Sequence, residues 1–126
     1  MKRDKENRIF YRYLELLSKE HELDGDRDWG MIHILGGMQR LISDGGTADP
    51  AYESDWDDAV EQCAEPEDAY QVGMQFLRIW QAIGYAEDVA QVLSGMEAKK
   101  RLDLWEKAVQ DAEQGRDDPY LRFVRT

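Results

Sequence analysis

Residues 43–70 of this chain read SDGGTADPAYESDWDDAVEQCAEPEDAY, and they carry both strong helix signals and a strong charge bias. The glycine pair near the beginning indicates a turn, Thr47 or Asp49 is the predicted cap of a helix, and Pro50 is typical of its first turn. Pro66, followed by two acids, is typical of a second helix start. Between these two points, apolar residues recur at helical spacing: Tyr52, Trp56, Ala59, Val60 and Cys63. The stretch therefore predicts a turn, a short amphipathic helix and the beginning of a longer helix.

The same stretch is strongly acidic. It holds ten carboxylates and no Lys or Arg, and no cationic residue occurs between Arg40 and Arg78. The turn accounts for Asp44, and helix capping and the helix dipole account for Asp49, Glu67 and Asp68. Six acids keep no such local explanation: Glu53, Asp55, Asp57, Asp58, Glu61 and Glu65.

We take these six acids, together with Trp56, as the candidate partner-binding residues. An aromatic side chain surrounded by charge is typical of an interface hot spot, which favours an exposed Trp56. The spacing of Tyr52, Trp56 and Val60 predicts the opposite, namely that the indole packs inward. A solvated helix face in an acidic protein is the simpler interpretation of the same charges.

Helical spacing continues on both sides of this stretch. Upstream, residues 2–22 carry one apolar stripe, and residues 29–42 are apolar on more than one face, which places that helix centrally. Its Gly36–Gly37 pair predicts close approach of a neighbouring helix or a kink. Downstream we expect helices over residues 67–83, 86–93 and 96–113, with breaks at Gly84 and at Ser94–Gly95. The tail, residues 116–126, fits either an extended segment or a short helical turn.

No alternating pattern of strand length occurs before this tail, so the sequence predicts an all-α fold. A chain of 126 residues has the common size of one domain. We therefore expect a single-domain bundle of five to six helices over residues 1–126, with a short C-terminal tail of undetermined structure.

The net charge of −11 limits the classes of partner. Direct nucleic-acid binding and attachment to anionic lipid both call for a basic surface, so neither is expected. Cys63 is the single cysteine, which excludes an internal disulfide and fits a reducing cytoplasm. No run of residues approaches the ~18 apolar residues of a membrane span, and no signal-peptide pattern is present. We therefore expect a cytoplasmic protein.

The sequence contains few arrangements that carry chemistry. Residues 24–28 alternate carboxylates as a calcium loop does, but Trp29 and Leu35 stand where that loop needs glycine and glutamate. Neither histidine belongs to a metal-binding pattern, and Cys63 has no neighbouring Cys or His. We expect no catalytic residues, no metal and no cofactor, and hence no enzyme activity.

These observations favour a binding protein. The main hypothesis is a small inhibitor that masks a basic protein partner, as an immunity protein or antitoxin does with a toxin or nuclease. An alternative is a DNA mimic of the anti-CRISPR kind, whose carboxylates occupy the cleft of a nucleic-acid-binding protein or a bacterial or phage defence complex. A further alternative is a non-catalytic assembly subunit, because the aromatic residues leave room for a homodimer face.

Overall fold

The computed structural model describes residues 1–23, 32–39, 46–84 and 87–115, and within them the protein is an all-α bundle. Residues 24–28, whose carboxylates alternate as in a calcium loop, the ends of the predicted helix 29–42 and the tail 116–126 lie outside the described residues. Six helices occur in the described part of the chain: α1 (Asp4–Leu23), α2 (Ile32–Met38), α3 (Pro50–Gln62), α4 (Ala69–Ile83), α5 (Glu87–Ala98) and α6 (Leu102–Glu113). The predicted fold class is confirmed.

Helices α1 and α4 connect the described parts of the bundle: α1 contacts α2, α4 and α6, and α4 contacts α1, α3 and α5. Seven apolar side chains of α1 are buried: Ile9, Phe10, Tyr11, Tyr13, Leu14, Leu16 and Leu17. Helix α2 ends at Met38, earlier than the predicted residue 42, and it contacts α1 and α5. The central position expected for residues 29–42 stays a prediction, because both ends of that segment lie outside the described residues. Helix α1 buries more than the single stripe that its spacing predicts.

Helices α1 and α6 run antiparallel and pair along their length. The Lys5 ammonium lies 3.6 Å from the carboxylate of Glu113 at one end, and the Arg101 guanidinium lies 2.6 Å from that of Glu20 at the other. Between them, the rings of Tyr13 and Trp105 meet edge to face with centroids 5.1 Å apart. The first and last described helices are therefore neighbours.

A buried charge lies in the middle of this helix pair. Arg12 Nε donates a 2.8 Å hydrogen bond to the fully buried carboxylate of Asp111, and Lys107 lies 3.3 Å from the same group. Burial alone raises the pKa of Asp111, but the hydrogen bonds and charges of Arg12 and Lys107 outweigh it, so the pKa is lowered overall. The Arg12 side chain therefore joins α1 to α6.

Aromatic rings fill the space between α1, α3 and α4. Phe10 stacks on Trp56 with centroids 5.8 Å apart, and Phe76 meets both rings edge to face. On the far side of Phe76, the Tyr52 ring lies 4.1 Å from that of Trp80. Such pairs each add about 0.5–1.5 kcal/mol beyond the burial of their area. This cluster fixes which side of α3 faces the core.

Two glycines allow helices to approach these rings. A β-carbon on Gly37 would lie within 2.8 Å of three atoms of the Tyr52 ring, and one on Gly73 would lie equally close to the Phe10 ring. The predicted close approach at the Gly36–Gly37 pair is therefore confirmed at Gly37. At Gly36 a β-carbon would meet nothing within 4 Å.

Several helix ends differ from the sequence prediction. Helix α4 begins at Ala69 rather than residue 67, because the side chain of Asp68 accepts hydrogen bonds from the backbone of the first turn. Helix α5 continues through Ser94–Gly95 to Ala98, since burial of Met96 extends its core stripe and outweighs about 1 kcal/mol for one glycine. Helix α6 begins at Leu102 rather than at residue 96. Gly84 ends α4 in a left-handed conformation, as predicted.

Candidate functional site

Helix α3 presents the acidic residues, and its start is firmly fixed. The Asp49 carboxylate accepts a 3.0 Å hydrogen bond from the backbone N–H of Ala51, and Pro50 occupies the first turn. The backbone N–H of Asp49 also donates to the carbonyl of Gly37, and the Thr47 hydroxyl donates to the carbonyl of Asp49. These bonds tie the start of α3 to α2 and set the rotation of the helix.

Rotation of about 100° per residue explains how the acids are distributed around α3. The apolar residues all fall on one side and are buried: Tyr52, Trp56, Ala59 and Val60. The five acids of this helix lie outside the apolar side, and we call them the acidic face: Glu53, Asp55, Asp57, Asp58 and Glu61. Glu61 lies almost opposite the core, with Asp57 and Asp58 on either side of it. Glu53 and Asp55 border the apolar stripe and are half-buried.

Trp56 does not belong to this exposed surface. Its side chain is 0% exposed, stacked on Phe10, and its indole N–H donates a 2.9 Å hydrogen bond to the carbonyl of Lys2. The interpretation of Trp56 as an exposed anchor is therefore corrected, because it completes the apolar stripe of α3. The inward packing that the Tyr52, Trp56 and Val60 spacing predicts is what the structure shows.

Glu65 lies beyond the end of the helix. Helix α3 ends at Gln62, Cys63 caps it, and Glu65 follows in the turn that leads to α4. Its side chain is exposed, and its carbonyl accepts a hydrogen bond from the backbone N–H of Asp68. Five of the six candidate acids thus share one helix, while Glu65 extends the acidic surface along the chain.

Lys2 brings positive charge to the acidic face. Its backbone N–H donates a 2.7 Å hydrogen bond to Asp57 Oδ1, and its ammonium is hydrogen-bonded to Glu61 Oε1. The bond to Glu61, together with the charges of Asp57 and Asp58, raises the pKa of Lys2. Helical periodicity places residue 2 in the predicted helix 2–22, and no local signal in the sequence indicates this contact across the chain.

The border of the acidic face is electrostatically different from its centre. Burial raises the pKa of Asp55, the neighbouring charge of Asp58 raises it further, and interaction with the Trp80 side chain offsets part of the rise. Glu53 accepts a weak 3.4 Å hydrogen bond from the backbone N–H of Thr47. Asp58, by contrast, is exposed on the outer side of the helix. Asp58 and Glu61 are therefore the exposed acids of α3, whereas Asp57 is half-buried like Glu53 and Asp55.

Burial raises the pKa of the Cys63 thiol, which hydrogen-bonds to the carbonyl of Gln71, so the thiol is disfavoured as a nucleophile. Within the described ranges, no three His, Cys, Asp or Glu side chains are grouped so that they could hold a metal ion. A shallow depression on α5 is lined by small and uncharged residues such as Ala90, Ser94 and Ala98.

No helix in the described part of the chain has the length and apolar character needed to span a membrane. Comparison of the chain with known protein families, with curated proteins and with solved structures finds no match.

Proposed function

We propose that this protein is a non-catalytic binding protein whose acidic face masks a basic surface on a protein partner. The observation that carries the proposal is the composition of α3, which bears five carboxylates and no basic residue over thirteen positions. Because four residues of the helix are buried, the carboxylates occupy the rest of its circumference, with Asp57, Asp58 and Glu61 on the side away from the core. Glu65, exposed in the following turn, extends the same charge.

Concentrated charge of one sign has a clear physical use. Like charges on one helix repel one another and lower the stability of the fold. A basic partner surface relieves this repulsion and is attracted to the same charges. Carboxylates aligned on an exposed face also accelerate encounter, to about 10⁸–10⁹ M⁻¹s⁻¹ at low salt for well-steered pairs. A toxin, a nuclease or another nucleic-acid-binding protein offers the basic surface that this requires.

The contact residues of the proposed interface are Asp57, Asp58, Glu61 and Glu65. Trp56 is not a contact residue but holds α3 in position, because it packs the helix against α1 and α4. Asp55 and Glu53 lie at the border and contribute to the field of the face.

The test begins with the identity of the partner. The protein is immobilised, exposed at low ionic strength to an extract of the organism that encodes it, and the retained proteins are identified by mass spectrometry. Each basic candidate is then purified, and its association rate is measured directly. Failure to retain any basic protein, or weak binding that is the same for all variants, would contradict the proposal.

Two substitutions of equal charge locate the contact. Asp58→Lys changes the acidic face, and Glu106→Lys makes the same change at an exposed position of α6. We expect Asp58→Lys to slow association roughly tenfold at low salt and Glu106→Lys to have a much smaller effect, because rim charges act mainly on the association rate. The difference should disappear in about 1 M salt, where the Debye length is about 3 Å.

Competition with duplex DNA separates two forms of the proposal. If the partner binds DNA and the duplex displaces this protein, the acidic face occupies the DNA cleft and acts as a mimic of the phosphate backbone. If the duplex and this protein bind together, the protein acts at another basic surface of its partner.

A further inference from the structure

Lys2 lies against the acidic face, and we call residues 1–3 the N-terminal strap. The backbone of Lys2 is held at both of its polar groups. Its N–H donates to Asp57 Oδ1 at 2.7 Å, and its carbonyl accepts from Trp56 Nε1 at 2.9 Å. Because Trp56 is fully buried and packed against Phe10, this second anchor is fixed relative to α3.

The anchored backbone places a cation over the centre of the acidic face. The Lys2 ammonium pairs with Glu61, the residue that lies almost opposite the core. Both side chains remain open to solvent, with 52% of Lys2 and 61% of Glu61 exposed. The Lys2 backbone is thus fixed, whereas its ammonium and the Glu61 carboxylate are accessible to solvent or to another cation.

The turn that leads from the strap into α1 is held in an unusual conformation. Arg3 has a φ of 52°, in the left-handed region that side chains other than glycine seldom adopt. Its carbonyl accepts a 3.0 Å hydrogen bond from the N–H of Asn7, and its side chain lies 3.7 Å from Glu6. Strained backbone of this kind persists where surrounding contacts impose it, and release of those contacts relieves it.

We propose that the N-terminal strap is an autoinhibitory contact, in which the Lys2 ammonium occupies the position that a lysine of the basic partner takes on Glu61. This inference rests on the proposed function, because it assigns a competitor to the same surface. Binding of the partner then replaces the Lys2 ammonium on Glu61 with an ammonium of the partner. The strap therefore lowers the affinity of the acidic face for a weakly basic surface. A partner with several adjacent cations displaces Lys2, and one with a single cation does not.

The experiment uses an oligolysine peptide as the probe and the full chain as the receptor. Three proteins are compared at low ionic strength by calorimetry: the unchanged chain, Lys2→Gln and Lys5→Gln. Both substitutions remove one positive charge, but Lys5 pairs with Glu113 of α6 and not with α3. Both lysines are exposed, so neither change threatens the fold.

We expect Lys2→Gln to bind oligolysine about three- to fivefold more tightly than Lys5→Gln. The change is small because the ion pair that competes with the peptide is exposed. Equal affinity of the two variants, weaker binding by Lys2→Gln, or no binding by any of the three would overturn the inference. Failure of the proposed function has a different signature. In that case Lys2→Gln still gains affinity for oligolysine, but the native extract contains no basic partner for the face.

Discussion

Replacement of Gly37 with alanine tests how closely α2 packs against α3. A β-carbon at this position would lie within 2.8 Å of three atoms of the Tyr52 ring. The ring has little room to retreat, because Tyr52 is 2% exposed and lies 4.1 Å from the Trp80 ring and 5.4 Å from that of Phe76, between centroids. Overpacking of this kind costs about 1–3 kcal/mol.

Gly36 supplies a matched control one residue away. Both glycines lie in α2, so each substitution gains about 0.5–1 kcal/mol of helix propensity. A β-carbon on Gly36 meets nothing within 4 Å, so Gly36→Ala should raise the free energy of unfolding by about that gain. Gly37→Ala should lower it by about 0.5–2 kcal/mol, which is the overpacking cost less the same gain.

Urea denaturation followed by far-ultraviolet circular dichroism measures both values. In thermal unfolding, each kcal/mol corresponds to roughly 4 °C in Tm for a chain of this size. Equal stability of Gly36→Ala and Gly37→Ala would refute the reasoning. A double-variant cycle with Tyr52→Leu identifies the clash, because alanine at position 37 should cost little once the ring is gone. A cost that persists without the ring would place the strain elsewhere.

Three further predictions concern titratable groups. Asp111→Asn should lower the free energy of unfolding at neutral pH by about 1.5–3 kcal/mol, because the charged hydrogen bond from Arg12 is weakened. Since the pKa of Asp111 is lowered, the difference in the free energy of unfolding between the two proteins should disappear as the pH falls through this pKa, as measured by urea titration. Equal stability of the two proteins at neutral pH would contradict the prediction. Asp55→Asn should raise the free energy of unfolding by up to about 0.5 kcal/mol at neutral pH, because burial and Asp58 raise the pKa of this carboxyl. This gain should fade as acid protonates Asp55, and a variant less stable than the unchanged chain would count against it. The Cys63 thiol should react with a disulfide reagent more slowly than free cysteine at neutral pH, because burial raises its pKa, and a matching rate would argue against that burial.

Local signals in the sequence account for much of the fold. Asp49 and Pro50 mark the start of α3, and Gly84 marks the end of α4, because caps and turn glycines act through neighbouring backbone groups. Packing against distant residues is not visible in such signals. Met96 keeps α5 helical past Gly95, and Asp111 draws Arg12 into a helix interface. The assignment of residues 1–126 to one domain stays a prediction.

The candidate site was predictable to a similar degree. Helical periodicity separates the acids of α3 from its core side, and it correctly places Trp56 inward against the composition argument for an exposed anchor. Periodicity carries no information on which residue from elsewhere in the chain meets the acids. The contacts of Lys2 with Asp57 and Glu61 join positions more than fifty residues apart and emerge only from the fold. The function of the acidic face stays a prediction.

The antiparallel pairing of α1 with α6 has a consequence for the order of events during synthesis. Helix α1 leaves the ribosome first, yet the helix that covers its Arg12 side is the last of the six to be made. At about 5–20 residues per second, the 90 residues from Leu23 to Glu113 take roughly 5–18 s to translate. During that interval Arg12 has not yet met Asp111, and the apolar side chains of α1 that α6 later covers are still without that cover. The nascent chain therefore exposes a surface of α1 that α6 covers in the finished protein.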